Sequence, residues 1–600
     1  MAKTYDRRSF LTHSAATAGG IALAGTVVDS LVSAASAETG VASTLIPPSG
    51  KRGGDLTVGI ASETPDRLHF TGAGGKMDAS AFCMANAIYD TLFTTSADGK
   101  TWLPNLALSA TPNKTYTSWT IKLRSGVTFH NGDTFDADNV VANYNAQKAN
   151  LVVGAAIKDL IAGVTKVDST TVVYNTKMPW TVFPFQLSEQ QIAYMAHSSC
   201  LDSAGGKPIG TGPFALTNLS DWDHTDQGNG DTMLLHKNSN YWKKDSAGNS
   251  LPYVDTLTFK VIVDNGERLA ALRAGTIDLM WTNDGGTIAS LKSTTGITYR
   301  TDMLDAREPA VNCIIMNTQM GANSVKGAVN PSTLAWDSTA KSVVADVTIR
   351  QACAMAIDRA KYLSIVDGGI GQAIDGLYRA KVGTKANPLY KDPKYPKYSV
   401  TNAKKLVDAW KKKNGNKTPS FVIDIVDGST AQLQAFTFIK NALSAVGISV
   451  TSRPLTQVDL IGSKINKHYD ASSWSQFGGV TPDLNYVWFN SSYVFGAQSP
   501  NYVNFAQQAD KKINDAMLAG MAATSSAARI KAWQTVNSLM ATDLPYLFLD
   551  STVTAFAAKT YVSNYAYAAG PAAGSTATGG STRIFSPDGG SAHWEYIYVK

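Results

Sequence analysis

Apolar residues alternate with other residues at several points along the chain, a period of two that is typical of β-strands with one buried face. Three runs show this pattern: Leu56, Val58 and Ile60; Trp119, Ile121 and Leu123; and Phe421, Ile423 and Ile425. Residues 448–450 begin another predicted strand, and a last strand is predicted around residues 594–598. Between them, residues 566–590 are rich in Ala, Gly, Ser and Thr, which predicts an inserted surface loop.

Other segments place apolar residues three or four positions apart, which indicates amphipathic helices. The predicted helices are one capped by Asp78 with Ala81, Ala85, Ile88 and Leu92 on one face, one capped by Asp136, one between Asp346 and Gly368, one over residues 401–413, and one through Phe436, Ile439 and Leu443. Because strands and helices alternate along the chain, the sequence predicts a mixed α/β architecture.

The size and charge of the chain narrow the choice of function. The 600 residues exceed what one hydrophobic core usually serves, so two or three subdomains are expected. A net charge of +6 is spread thinly, and no Lys/Arg run is longer than residues 411–413. A nucleic-acid-binding protein needs a concentrated basic surface, so we expect no nucleic-acid partner.

The N-terminus has the order of segments found in secretion signals. Residues 6–11 (DRRSFL) carry paired arginines, residues 15–32 are mildly apolar, and residues 35–37 (ASA) form a small-residue cleavage pattern. The arginine pair resembles a twin-arginine export signal, and general secretion stays the alternative. We therefore expect residues 1–37 to be removed and residues 38–54 to form a flexible leader. Since no cysteine precedes Cys83, a lipid anchor is not expected.

Short motifs for catalysis are missing from the sequence. HExxH and GxSxG do not occur. Residues 99–101 (GKT) resemble the end of a phosphate-binding loop, but Thr94 stands where its first glycine belongs. Residues 369–371 (GIG) open like a dinucleotide fingerprint, but Ile374 occupies the position of the third glycine. These gaps make an enzyme the less favoured class, although distant residues can still assemble a catalytic site.

Metal-binding patterns are equally weak. The eight histidines are scattered without the spacing of metal ligands on one helix, and the four cysteines contain no CxxC pair. Neither a metal nor another cofactor is therefore expected. Three of the cysteines, Cys83, Cys313 and Cys353, lie in apolar stretches typical of a core; whether any pair of the four becomes oxidised after export stays open.

Several segments resemble, in the same order, family 5 of the bacterial extracellular solute-binding proteins, which includes the oligopeptide, dipeptide and nickel binders of ABC transporters. They are residues 87–93 (AIYDTLF), 103–107 (LPNLA), 119–132 (WTIKLRSGVTFHNG), 135–141 (FDADNVV), 208–214 (PIGTGPF), 240–242 (NYW), 273–278 (RAGTID) and 350–359 (RQACAMAIDR). The segment 119–132 is the most specific of them. Together they cover roughly residues 55–550.

The resemblance implies a fold of two lobes built from three subdomains, of the class II periplasmic binding protein type, with mixed β-sheets and a ligand cleft between the lobes. On this pattern residues 55–82, 209–303 and 552–600 form the core of lobe I, residues 83–208 form a second subdomain of lobe I, and residues 304–551 form lobe II. Such proteins close about a hinge on their ligand.

Two segments are the expected walls of the cleft, residues 278–284 (DLMWTND) and 469–483 (YDASSWSQFGGVTPD). In peptide-binding members of the family, an aspartate of the second segment pairs with the peptide's amino group, a charge-assisted contact. Here Gly479 stands in its place, and Asp483 follows four residues later. The ligand-binding residues expected from both walls are Trp281, Asn283, Trp474, Gln476, Phe477, Gly479 and Asp483.

The resemblance implies a non-catalytic binding component of an ABC importer, monomeric and located outside the cytoplasmic membrane or in a periplasm. Its expected partners are an importer permease, the twin-arginine export machinery and a small ligand. An oligopeptide is favoured by the family, whereas aromatic and amide side chains in the cleft would suit an oligosaccharide or glycoconjugate. A ligand sensor on the same scaffold and a secreted enzyme are the remaining alternatives.

Overall fold

A computed structural model describes most of the chain. The residues it describes are 50–62, 68, 79–95, 102–150, 154–189, 191–201, 206–223, 230–245, 247–301, 310–318, 325–382, 385–476, 478–479, 481–494, 503–565 and 593–600. The predicted signal, the first part of the predicted leader and the Ala/Gly/Ser/Thr-rich segment therefore lie outside the described residues.

The strands are numbered β1 to β24 in chain order. They are β1 Asp55–Ile60, β2 Phe93–Thr95, β3 Trp102–Pro104, β4 Ala107–Pro112, β5 Ser118–Leu123, β6 Ile161–Asp168, β7 Thr171–Thr176, β8 Phe214–Ala215, β9 Thr232–Lys237, β10 Thr256–Val261, β11 Leu279–Thr282, β12 Ile297–Thr301, β13 Val311–Met316, β14 Ala328–Val329, β15 Trp336–Asp337, β16 Lys381–Val382, β17 Lys385–Ala386, β18 Ser420–Val426, β19 Ser449–Leu455, β20 Ala471–Gln476, β21 Tyr546–Ser551, β22 Ala555–Lys559, β23 Val562–Ser563 and β24 Tyr598–Val599.

The α-helices are numbered α1 to α14. They are α1 Ala79–Ile88, α2 Ala137–Gln147, α3 Gly154–Leu160, α4 Gln186–Glu189, α5 Asn265–Ala274, α6 Gly285–Leu291, α7 Val347–Ala356, α8 Arg359–Ile365, α9 Val400–Lys413, α10 Thr430–Ser444, α11 Gln457–Ile465, α12 Tyr486–Phe489, α13 Lys511–Ala522 and α14 Ser526–Asp543. Short 3₁₀ turns include Phe183–Phe185, Pro482–Asn485, Ser491–Tyr493 and Trp594–Tyr596. Within the described part of the chain, no helix is long and apolar enough to cross a membrane.

Three sheets organise the molecule. The base sheet has seven strands in the order β12-β22-β11-β1-β10-β9-β8, the side sheet has the four strands β4-β5-β7-β6, and the facing sheet has the five strands β19-β18-β20-β13-β21. We call each sheet with its helices the base, side and facing unit. Along the described chain, the path passes between base and facing sheets twice, after β12 and after β21. Each of these three sheets draws its strands from one of the three sets of ranges named above, while the assignment of those ranges to the two lobes stays a prediction.

Local sequence explains most of these elements. The alternating residues of β1 and β5 form strands as predicted. Val58 and Ile121 are fully buried, whereas Thr57, Thr120 and Lys122 are more exposed. Asp136 caps α2: its side chain accepts hydrogen bonds from the backbone N–H groups of Asp138 and Asn139, and Asn139 bonds back to the Asp136 backbone. This reciprocal capping box satisfies backbone donors that a helix start otherwise leaves without partners.

Three of the predicted boundaries were wrong. The predicted helix after Asp346 is two helices, α7 and α8, because Asp358 adopts an extended backbone and its side chain caps a new helix. Leu92 lies beyond the end of α1 at Ile88, so it does not extend that helix's apolar face. Near the C-terminus, a 3₁₀ turn occupies most of the predicted strand and leaves only Tyr598–Val599 as β24.

Apolar packing joins the side unit to the facing unit. One continuous core cluster contains Trp119 and Val172 of the side sheet together with Ile314 and Phe421 of the facing sheet. A second cluster lies under the base sheet and includes Val58. All four cysteines are buried as free thiols, and burial raises the pKa of Cys353 to about 12, which keeps that thiol protonated and unreactive.

Two glycines pack directly against the end of α1. The backbone N–H of Gly212 donates to the carbonyl of Ile88, at the end of α1, over 2.9 Å. A Cβ atom on Gly212 would lie 2.6 Å from the Ile88 carbonyl group, and one on Gly210 would lie 2.0 Å from its oxygen. These positions therefore accept no side chain without a shift of the backbone.

Replacing Gly212 with alanine is expected to lower the free energy of unfolding by about 1–3 kcal/mol, the usual cost of overpacking. Gly163→Ala provides the control, because a Cβ on Gly163 meets nothing within 4 Å. Thermal melting of both variants checks the prediction. Equal melting temperatures for G212A and G163A would contradict the close contact at Ile88.

Candidate ligand cleft

Strand β20 places two predicted ligand residues side by side. Because side chains alternate along a strand, Trp474 and Gln476 lie on one face of the facing sheet and Ser475 lies on the other. Trp474 is half-buried and meets the ring of Phe505 edge-on, with ring centroids 5.4 Å apart. Phe505 also contacts Trp488, so the indole of Trp474 belongs to an aromatic group on this face.

Gln476 carries a polar atom without a protein donor. Its side chain is 2% exposed, and its Nε2 donates to Asn485 Oδ1 over 3.3 Å. Its Oε1 receives no hydrogen bond in the described structure. A buried acceptor left without a donor costs about 1–3 kcal/mol. A ligand N–H or O–H group would remove that cost.

The turn after β20 contains the other predicted residues. Gly479 is buried and has a φ of +150°, a conformation that favours glycine over an aspartate at this position. Phe477 lies outside the described residues. Asp483 begins the 3₁₀ turn with Pro482 and is 2% exposed.

Both oxygens of the Asp483 carboxylate are engaged by protein groups. Arg529 of α14 donates from Nη2 to Oδ1 over 2.5 Å, and Trp180 donates from its indole Nε1 to Oδ2 over 2.7 Å. Arg529 also donates to Thr481 Oγ1 and to the carbonyl of Gly520. In this arrangement both oxygens of the buried Asp483 already accept a hydrogen bond from the protein, which makes the carboxylate less available to a ligand's ammonium group.

The first predicted wall lies in the base unit. Trp281, on β11, is 3% exposed and pairs across the sheet with Phe556 of β22, and its carbonyl accepts a hydrogen bond from the buried Arg268. Asn283 follows the end of β11 and is partly exposed, next to Asp284, which caps α6. Asn283 thus lies at the surface of this wall, whereas Trp281 is part of the core beneath it.

A hydrogen-bonded chain ties the second crossing to the facing sheet. Ser475 and Thr552 share a hydroxyl–hydroxyl contact of 3.0 Å, and Thr552 donates to Asn312 Oδ1 over 2.9 Å. Asn312 in turn donates to Asp550 Oδ1 over 2.9 Å. No local sequence pattern marks Asn312, Asp550 or Thr552, because they come together only when β13, β20 and β21 pair.

The series of hydrogen bonds from Ser475 to Asp550 ends at a pair of buried carboxyl groups. The Oδ2 atoms of Asp550 and Asp367 are buried and receive no hydrogen bond from the described residues, and the two carboxyl groups interact with each other. Burial raises the pKa of Asp367 to about 6, and burial together with the charge of Asp367 raises the pKa of Asp550 well above its ordinary range. Two carboxylates in contact cannot both ionise cheaply, so we expect the pair to share one proton. Asp367 also packs against α6, since a Cβ on Gly285 would lie 2.5 Å from its Cβ.

The groups around this pair are neutral or acidic in the described structure. Asn312 faces it from β13 and Tyr362 from α8, and burial raises the pKa of Tyr362 well above its ordinary value. Asp284 contributes a further negative charge from α6, which raises the pKa of Asp367. The described residues contain no group of three or more His, Cys, Asp or Glu side chains that could hold a metal ion.

The shared proton predicts a pH-dependent stability. An aspartate whose pKa is higher in the folded than in the unfolded protein stabilises the fold at low pH. The full stabilisation is present below the unfolded pKa of about 3.9. It is lost as the pH rises through the folded pKa, which is about 6 for Asp367. Asp550→Asn replaces the shared proton with an amide N–H. We expect the wild type to lose more stability than D550N between pH 5 and pH 8, as measured by denaturant unfolding.

Asp392→Asn is the matched control, because Asp392 is exposed, pairs with Lys394 and has a lowered pKa. It should keep the wild-type slope of stability against pH in this window. A D550N slope equal to those of the wild type and D392N would contradict a proton shared by the pair.

The chain is similar to known binding proteins over most of its length. Residues 101–496 match the family model described as bacterial extracellular solute-binding proteins, family 5 middle. The chain belongs to this family. The match extends over more than half of the chain, and the predicted membership is therefore confirmed.

Solved structures of the family share the fold. The oligopeptide-binding protein AppA from Bacillus subtilis, in complex with a nonapeptide, aligns with a TM-score of 0.71 and 20% identity over 92% of this chain and 100% of that one. NikA from Brucella suis, in complex with Fe(III)-EDTA, aligns with a TM-score of 0.64 and 20% identity, covering 91% and 100%. The predicted α/β fold, the two-lobe periplasmic binding protein type, is confirmed.

A curated relative matches a shorter stretch. The glutathione-binding protein GsiB of Escherichia coli strain K12 is 30% identical over 205 residues, which are 33% of this chain and 37% of that protein. The chain therefore spans little more than a third of this relative. Members of the family are solute-binding proteins rather than enzymes, and they act outside the cytoplasm.

Proposed function

We propose that the chain is the extracytoplasmic substrate-binding component of an ABC importer and that it binds a peptide-like ligand between its base and facing units. The observation that carries the proposal is the pair of units joined by two chain crossings, with Asn283 on one wall and Trp474 and Gln476 on the other. A domain connected in this way can close on a ligand by a hinge motion.

The peptide-like class is supported by relatives. AppA binds a nonapeptide and GsiB is a glutathione-binding protein. Stacking on Trp474 and a hydrogen bond to Gln476 would each act on a peptide, and aromatic contacts contribute about 0.5–1.5 kcal/mol beyond the buried area. Closure would then shift the protein toward the form that an importer permease recognises.

An oligosaccharide or glycoconjugate is the second candidate. Two observations favour it: Asp483 is engaged by Arg529 and Trp180, and Gly479 stands at the position of the peptide anchor. The C–H faces of a sugar would stack on Trp474, and its hydroxyl groups would donate to Gln476 Oε1. A sensor or a secreted enzyme on this scaffold would use the same cleft.

The N-terminal signal pattern also supports a binding role outside the cytoplasm. The arginine pair at residues 7–8 precedes an apolar stretch and a small-residue cleavage pattern. We propose that the twin-arginine machinery exports the folded chain, which then acts as a monomer outside the cytoplasmic membrane. No cofactor or metal takes part in the proposed binding.

Native mass spectrometry of the purified mature protein identifies the ligand directly. We expect a bound species that is released intact by denaturation, a peptide mixture for an oligopeptide binder or one sugar-like species for the second candidate. A species released in chemically altered form after incubation would contradict a purely binding role.

With the released ligand in hand, Trp474→Ala is expected to weaken binding roughly tenfold, because it removes both ring stacking and buried apolar area. Trp336→Ala is the control, since Trp336 stacks on His468 outside the predicted cleft. Isothermal titration calorimetry measures both affinities. Equal affinities for W474A and the wild type would exclude β20 as a wall of the ligand site.

A further inference from the structure

Hydrogen bonds join the side unit to the facing unit at two points, the first buried on both sides and the second ending on the exposed Asp159. The first is the hydrogen bond from Trp180, in the segment between β7 and the 3₁₀ turn Phe183–Phe185, to Asp483. The second is the hydrogen bond from the hydroxyl of Tyr493 to Asp159 Oδ2, over 2.6 Å. Trp180, Asp483 and Tyr493 are each at most 2% exposed. Both bonds therefore connect units that are separate in the sheet topology.

Each of these bonds ends on a carboxylate. Hydrogen bonds to ionised groups are shorter and roughly twice as strong as bonds between neutral groups, and burial strengthens them further. A third polar contact between units, from Thr430 Oγ1 to Asp264 Oδ2 over 2.6 Å, joins the facing unit to the base unit at the surface. Because it is exposed to solvent, this third contact contributes less.

Arg529 fixes the orientation of Asp483, the facing-unit partner of Trp180. It holds Oδ1 of Asp483 from within the facing unit, so the carboxylate keeps one donor and its orientation whether or not Trp180 is present. Separation of the units removes only the donor to Oδ2. The Asp483 carboxylate then stays bound to Arg529, and its Oδ2 is open to another donor.

We propose that the bonds Trp180–Asp483 and Tyr493–Asp159 form a latch that holds the facing unit against the side unit in the closed arrangement, with Arg529 as the residue that positions Asp483. The latch rests on the two-part closure proposed above and adds the residues that stabilise its closed state. Opening exchanges the indole N–H on Asp483 for water or for a donor group of an incoming ligand.

The latch is tested on the full mature chain without any ligand. Nitroxide labels are attached at Lys114→Cys in the side unit and Lys440→Cys in the facing unit, both exposed positions, while the four native cysteines are buried. Bound ligand is first removed by unfolding and dialysis. Double electron–electron resonance then gives the distribution of distances between the two units.

Trp180→Phe and Tyr493→Phe remove one donor each and keep an aromatic ring. We expect the ratio of short to long distances to fall about tenfold in W180F, the effect of losing one hydrogen bond to a buried charge. In Y493F the same ratio should fall severalfold, because Asp159 is partly solvated. If W180F does not fold, Y493F still decides the question, since it removes only a hydroxyl group.

Two variants serve as matched controls. Trp242→Phe removes an indole bond to Asp90 Oδ2 of 2.9 Å, and Tyr390→Phe removes a hydroxyl bond to Asp375 Oδ2 of 3.2 Å; neither bond joins the side unit to the facing unit. Both controls should keep the wild-type distances. Wild-type distances in W180F and Y493F as well would overturn the latch, while the mass spectrometry of the bound ligand tests the proposed function independently.

Discussion

A buried carboxylate needs donors, and in this chain the donors of Asp483 come from two different units. Arg529 supplies one from the facing unit and Trp180 supplies the other from the side unit. Losing one hydrogen bond to a buried charged group costs about 1.5–3 kcal/mol, so the relative position of the side and facing units depends in part on the pairing of this one side chain. The continuous apolar core supplies most of the buried surface between the side and facing sheets, and the hydrogen bonds of Asp483 fix how the two units are oriented.

Buried hydrogen bonds also hold the chain where it crosses from the facing unit to the base unit after β21. Thr552 is held to the facing sheet by Ser475 and Asn312, and we expect Asp550 beyond it to share a proton with Asp367. Asp367 packs on the first turn of α6 in the base unit. A group of polar side chains therefore lies where the chain passes from the facing unit to the base unit.

Sequence patterns predicted the elements well where one local rule decides the structure. Alternation located β1 and β5, and Asp136 marked the start of α2. The same rules missed the break at Asp358, because an aspartate inside an apolar repeat can face solvent or cap a new helix, and only the surrounding packing decides.

The candidate site was predictable only in part. The order of the family-like segments pointed to β11 and β20, which are interior strands of two different sheets. Trp180 and Arg529 could not be found, since they lie 303 and 46 positions from Asp483 and carry no local motif. The sequence therefore predicted Asp483 as a ligand-binding residue, because nothing near it in the chain indicates that two protein donors already bind its carboxylate.

Hydrogen–deuterium exchange tests most directly whether the ligand is held between the two units. Exchange is compared for the protein with and without the species released from it, in peptides covering residues 279–291 of the base unit and 471–485 of the facing unit. The account predicts that ligand slows exchange in both segments together, with the largest effect around Asn283 and in the turn after Gln476. Protection confined to one unit, or absent from both, would contradict a ligand enclosed by closure of the base and facing units.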